Sequence, residues 1–97
     1  MRIITWGRVQ AFIDRHADSE RPLRAWRTQI QSREYPDPES VLAAFPYVSI
    51  INDQRVVFNI KGNDYRLVAA IHYDKQRMFV RGVFTHAEYD RIDAGTI

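Results

Sequence analysis

The chain has 97 residues and no cysteine. Disulfides, thiolate metal sites and a cysteine nucleophile are excluded together. Lysine is nearly absent as well: Lys61 and Lys75 stand against twelve arginines, in a chain of formal net charge +2. Lysine is the usual solubilising cation, whereas the planar fork of arginine matches phosphate and carboxylate oxygens. A coding bias towards arginine would give the same ratio, so position has to decide. Uninterrupted apolar runs extend only a few residues, leaving nothing to span a bilayer. The opening Met1-Arg2-Ile3-Ile4-Thr5-Trp6-Gly7-Arg8 lacks the apolar region and small-residue cleavage site of a signal peptide. A cytoplasmic protein with no membrane partner is expected.

What is present describes a globular protein: 45% hydrophobic and 27% charged residues. The length supports one core, and hence a single domain over residues 1–97 with no internal repeat. Val9, Phe12, Ile13 and His16 or Ala17 recur at helical spacing and predict a first helix over about Trp6 to Ala17. Asp18 to Pro22 interrupts it. Leu23, Trp26 and Ile30 then mark a second helix reaching about Arg33, and the two form a hairpin with one apolar stripe each. After Tyr35-Pro36, Asp37 before Pro38 is a helix-start signal, and Pro46 closes a short third helix containing Val41, Leu42 and Phe45.

Beyond Pro46 the period changes to two. Tyr47 to Ile51, Arg55 to Lys61, Asp64 to Tyr73 and Met78 to Phe84 are predicted strands joined by hairpin-type turns in an antiparallel meander. Thr85-His86-Ala87-Glu88 has the form of a capping box, which starts a last short helix at His86. The expected fold class is α+β, with the helical hairpin on one face of a small antiparallel sheet and a short C-terminal helix.

Alternate strand residues point to opposite faces. Val56, Phe58 and Ile60 oppose Arg55, Val57, Asn59 and Lys61. Tyr65, Leu67, Ala69, Ile71 and Tyr73 oppose Arg66, Val68, Ala70 and His72. In the final strand Met78, Val80 and Phe84 oppose Phe79, Arg81, Val83 and Thr85. With the apolar sides against the hairpin, the outer face would carry Arg55, Asn59, Lys61, Arg66, His72 and Arg81 together. A polar outer face can simply be solvated. The excess of cations over acids there also suits phosphates of an anionic polymer.

The last helix would bring His86, Tyr89 and Asp90 to the rim of that face, at positions i, i+3 and i+4. Histidine exchanges protons near neutral pH, tyrosine donates or accepts a hydrogen bond, and Asp90 could orient the imidazole. Spacing alone does not separate this from a packed tyrosine beside a helix-end histidine. His16 reads as a core-edge residue and His72 as structural or peripheral. The spread of the three histidines has no metal-ligand spacing, so neither a metal nor another cofactor is expected.

Asn59-Ile60-Lys61-Gly62-Asn63-Asp64-Tyr65-Arg66-Leu67-Val68, Arg81 and Thr85-His86-Ala87-Glu88-Tyr89-Asp90 together resemble the signature of the HigB toxins, within the wider RelE/ParE-like group. The resemblance covers nearly the whole chain. It implies a RelE/ParE-like fold and a type II toxin-antitoxin component: a metal-independent mRNA endoribonuclease that arrests translation, typically on messenger RNA in the ribosome. A HigA-like helix-turn-helix antitoxin would inhibit it, and operator DNA would be bound only through that complex. The resemblance makes Arg66 the leading phosphate ligand, with Lys61 and Arg81 as supporting cations and Asn59 as a weaker candidate; Arg55 joins them as an RNA contact through its place on the cationic face. His86 would transfer a proton, Tyr89 would stack on a base or assist, and Asp90 would orient from behind. Lysines used by some relatives are replaced here by Val57 and Asn59. Two other functions fit the same scaffold: a non-nucleolytic toxin like the ParE branch, which binds DNA gyrase, and a nucleic-acid-binding module whose basic face only docks.

Overall fold

The computed structural model describes residues 1–97. Strand β1 (Arg2–Ile4) precedes helices α1 (Trp6–Arg15) and α2 (Glu20–Gln31), which are joined by a 3-10 turn at Ala17–Ser19. Helix α3 (Pro38–Ala44) leads into β2 (Ser49–Ile50), β3 (Arg55–Ile60), β4 (Tyr65–His72) and β5 (Arg77–Thr85), and α4 (His86–Tyr89) follows directly. No helix is long and apolar enough to cross a membrane.

The apolar stripes form the helices where the spacing requires. Val9, Phe12 and Ile13 of α1 and Leu23, Trp26 and Ile30 of α2 are buried against one face of the sheet. Helix α2 begins at Glu20, earlier than Leu23, because Pro22 falls in the first turn, where a missing N–H breaks no helical hydrogen bond. Helix α3 starts at the expected cap: the Asp37 side chain accepts from the Ser40 amide at 2.8 Å. The Trp26 and Phe45 rings both meet Phe58 edge-on, at 5.3 and 5.1 Å between centroids. Phe58, fully buried between them, contributes about 1.5–3 kcal/mol.

The sheet order is β1-β5-β4-β3-β2. The antiparallel meander of β2 to β5 is present, and β1 adds a parallel edge to β5 with Arg2 beside Arg77 and Ile4 beside Phe79. Three residues carry too little alternation to announce a strand, so the mixed sheet was not expected from the sequence. Strand β2 is also shorter than the expected Tyr47 to Ile51.

A second difference changes which side chains share a face. Val68 pairs with Gly82 but Ala69 pairs with Val80, so Arg81 is an extra residue in β5. Such a bulge shifts the alternation by one residue from that point on. Val83 therefore joins Met78 and Val80 in the main core, while Phe84 turns outward onto Val57 and Val68, the reverse of the expected assignment. Carbonyls beside the bulge find side-chain donors. Thr5 Oγ1 donates to Val80 O at 3.1 Å, and Arg8 Nη1 donates to Arg81 O at 2.8 Å.

Candidate active site

On the outer face, the ladder sets Asn59 of β3, Arg66 of β4 and Phe84 of β5 side by side in one row. Arg66 is half-buried. Its Nη1 donates to the Asn63 carbonyl at 3.0 Å and to its neighbour Tyr65 O at 3.4 Å, while Nε and Nη2 have no protein partner. Asn59 Nδ2 donates to Asn63 Oδ1 at 3.2 Å, so the β3–β4 turn is tied to both residues of the row. The Arg66 guanidinium carbon lies 6.0 Å from the centre of the Tyr89 ring, at the outer range of a cation–π contact. A guanidinium held at one nitrogen, with two others open beside an aromatic ring, can bind a phosphate through a planar fork.

Thr85 pairs with Tyr65, next along the ladder from the Phe84–Arg66 pair, which delivers α4 to the same end of the sheet. The expected capping box forms: Glu88 N donates to Thr85 Oγ1 at 3.3 Å and Thr85 N to Glu88 Oε1 at 2.9 Å. The amide of Thr85 holds the Glu88 carboxyl below its usual range. His86 is the first residue of α4 and is exposed, as is Asp90. The link between them is a backbone one, Asp90 N donating to His86 O at 3.0 Å. The Asp90 carboxylate makes no hydrogen bond to the imidazole, so the orienting role expected of it is absent from this arrangement.

Three expected cations lie elsewhere. Lys61 closes the β3–β4 turn in the left-handed region at φ 53°, and its Nζ contacts Asp18 at 2.7 Å and Asp64 at 3.7 Å. The Tyr65 hydroxyl donates to the same Asp18 carboxylate at 2.9 Å. The Lys61 ammonium and the Tyr65 hydroxyl hold the Asp18 carboxyl below its usual value, while Asp18 raises the pKa values of both Lys61 and Tyr65. Because Tyr65 belongs to the inner face, this triad draws Lys61 towards the helical layer and away from the row containing Arg66.

Arg55 and Arg81 are held by the segment that follows α4. Arg55 Nη1 donates to Ala94 O at 3.4 Å and to Ile97 O, and Arg81 Nε donates to Ile97 O at 3.0 Å. Between these arginines and the Arg66 row, Ala94, Ile92, Ile97, Phe84 and Tyr89 cover Val57 and Val68. The outer face is therefore divided by a small apolar cluster instead of presenting one continuous set of cations. Burial of Val57 and Val68 leaves this part of the sheet unavailable to water, so the polar-outside pattern fails there. His72 stands half-buried, edge-on to Phe79 at 5.0 Å, as a structural residue. His16 stacks on Phe12 at the core edge.

The structure thus brings together Asn59, Arg66 and Tyr89, with His86 at the adjoining helix end. Two contributors escaped sequence reasoning. Asn63 lies between two predicted strands, where spacing alone gives it no role, and Phe84 lies on the face opposite to the one simple alternation gives, because of the bulge.

A family model described as HigB_toxin, RelE-like toxic component of a toxin-antitoxin system, matches residues 19–92. The chain belongs to the HigB toxin family. The mRNA interferase toxin HigB of Escherichia coli (strain K12) is 32% identical over 92 residues, covering 93% of this chain and 88% of that protein. The mRNA interferase HigB of Shigella flexneri has the same identity and coverage. That of Escherichia coli O6:H1 (strain CFT073) is 26% identical over 94 residues, covering 95% of this chain and 91% of that protein. Membership in this HigB family makes an antitoxin the partner of this toxin. The HigB match contains the whole row of Asn59, Arg66 and Phe84 and all of α4, and it ends before the Ala94 and Ile97 carbonyls that hold Arg55 and Arg81.

Proposed function

We propose that this toxin is an mRNA endoribonuclease that inhibits translation, with Arg66 binding the scissile phosphate. The observation that carries the site is the Arg66 guanidinium, fixed at Nη1 by Asn63 and open at Nε and Nη2 beside Tyr89. The relatives named mRNA interferases support the substrate class.

In the reaction the ribose 2′-oxygen loses its proton and bonds to the adjacent phosphorus, and the bond to the 5′-oxygen breaks. The products are a 2′,3′-cyclic phosphate and a 5′-hydroxyl, with the proton passed to the leaving oxygen. Charge builds on the non-bridging oxygens in the transition state, and Arg66 stabilises it there. His86, exposed at the rim, moves a proton at one of the reacting oxygens. Tyr89 backs Arg66 and stacks on a base, and Asn59 contacts the backbone from the other side of the row. Lys61 acts as a positioning residue: its pairing with Asp18 holds the turn that carries Asn63. Arg55 and Arg81 anchor the segment after α4. The partner is a HigA-like helix-turn-helix antitoxin, operator DNA is bound only through that complex, and cleavage takes place on the ribosome in the cytoplasm.

The lack of any group orienting the His86 imidazole favours one other reading, in which the face docks on RNA without cutting it. Induced expression of wild type, Arg66→Ala and His86→Ala, with mapping of mRNA 5′ ends, separates the two. The nuclease reading expects growth arrest with new 5′ ends in wild type and strongly reduced ends in both variants. Arrest without new ends would refute it, and full cleavage by His86→Ala would remove that residue from the chemistry.

A further inference from the structure

A cleft beside the Arg66 row shares only Asn59 and Asn63 with the mechanism above. It lies between the α3–β2 connection and the β3–β4 turn, with a volume of about 420 Å³, and its walls include Phe45, Tyr47, Val48, Phe58, Asn59 and Asn63. That volume is within the range of about 300–1,000 Å³ usual for small-molecule pockets. We propose that it is a nucleobase subsite, holding a base of the RNA whose phosphate sits at Arg66. The proposal rests on the ribonuclease reading and adds the residues that contact the base.

Four observations favour a base as occupant. The first is Tyr47, which is 82% exposed, a large aromatic ring left in solvent beside the aromatic and aliphatic part of the cleft. Unstacked RNA bases are bound on such rings. Second, β2 reaches only as far as Ser49 opposite Val57, so the edge of β3 from Phe58 to Ile60 has no strand beside it. An unpaired strand edge offers N–H and C=O groups in the plane of a docked ring.

Third, the polar end of the cleft is the amide pair Asn59 and Asn63. Their mutual hydrogen bond uses one Asn59 donor and the Asn63 side-chain oxygen, leaving the Asn63 NH₂ and the Asn59 carbonyl oxygen open. Such groups read the hydrogen-bonding edge of a base. Fourth, the cleft adjoins the phosphate ligand: Asn59 is the ladder neighbour of Arg66, and the Asn63 carbonyl accepts from Arg66 Nη1. No carboxylate lines it, so nothing there repels a phosphodiester. A second cavity, around Asp18, Glu20, Arg21, Arg24 and Lys61, contrasts with it: its acids are already paired with Lys61 and Arg24.

The test uses Tyr47→Ala, Tyr47→Phe and Asn63→Ala in the full chain, with 5′-end mapping after induction and thermal unfolding of each purified protein. Asn63→Ala keeps the carbonyl that holds Arg66 and deletes only the amide. Loss of a stacked base predicts cleavage by Tyr47→Ala reduced roughly 5- to 100-fold at unchanged melting temperature, with recovery in Tyr47→Phe. Asn63→Ala should broaden the base preference flanking the cut. Wild-type rates in Tyr47→Ala would overturn the subsite and leave the ribonuclease intact. Unchanged cleavage with weakened neutralisation by the antitoxin would assign the surface to a protein partner and overturn it too. A wild-type protein that produces no new ends ends the ribonuclease reading, and the subsite with it.

Discussion

Truncating Arg66 tests the site most directly, because its structural and chemical contributions differ in size. Its one hydrogen bond outside its own peptide neighbour goes from Nη1 to Asn63 O in an exposed turn. Losing that bond costs about 0.5–1.5 kcal/mol of stability. In a domain of this size each 1 kcal/mol lowers Tm by about 4–8 °C, so Arg66→Ala should remain folded at ordinary assay temperatures. Its loss to the reaction is larger. Removing one donor directed at a developing oxyanion costs about 2.7–4 kcal/mol, a factor of about 10²–10³ in rate. Half-burial leaves water near the guanidinium and weakens its field, so the lower end, roughly 100-fold, is expected. Arg66→Lys keeps the charge but cannot hold Asn63 O and fork a phosphate together, and should fall between, roughly tenfold below wild type. The assay is the initial rate of cleavage of a translated reporter transcript, with Tm measured on the same samples. A folded Arg66→Ala protein cutting at the wild-type rate would refute the assignment.

Two further predictions concern the framework of the site. The depressed pKa of Asp18 means that its contribution to stability is present above its unfolded value, near 3.9, and is lost as pH falls through the folded one. Urea unfolding should therefore find Asp18→Asn less stable than wild type at pH 7 and the difference shrinking towards pH 3; an equal gap at both pH values would contradict the role given to the Lys61–Asp18–Tyr65 triad. At Gly82 an added Cβ would lie 2.5 Å from the Phe84 ring, so Gly82→Ala should displace that ring and lower Tm by about 4–8 °C, a net cost of about 1 kcal/mol. In a Phe84→Ala background the same change should be neutral or stabilising, and a higher Tm for Gly82→Ala alone would refute the packing argument.

Local chemistry was legible wherever the cause of a structure lies within a few residues. The stripes of Val9, Phe12 and Ile13 and of Leu23, Trp26 and Ile30 face the core as their spacing required. Asp37 and Thr85 cap the helices they were expected to cap, because a side chain and an amide three residues away meet without help from the rest of the chain. Arg66 and Asn59 could be placed on the outer face from alternation alone, since no irregularity intervenes in β3 or before Arg66 in β4.

The direction taken by a long cation is less local. Lys61 could reach outward or inward from its turn, and the choice belongs to Asp18, which is distant in sequence and becomes a neighbour only when the 3-10 turn docks beside Tyr65. Arg55 and Arg81 likewise find Ala94 and Ile97 only after the final segment folds back over the sheet.

By itself, then, the sequence determined the helices, the caps of the last two, the meander, the place of Arg66 on its outer face and a histidine at the start of the last helix, all set by short-range periodicity and side-chain chemistry. Only the tertiary structure decided that the parallel β1 completes the sheet, that an extra residue at Arg81 turns Phe84 outward, and that the outer face is divided. The reason is physical: register, bulges and ion pairing are properties of two segments meeting, and neither segment encodes them alone.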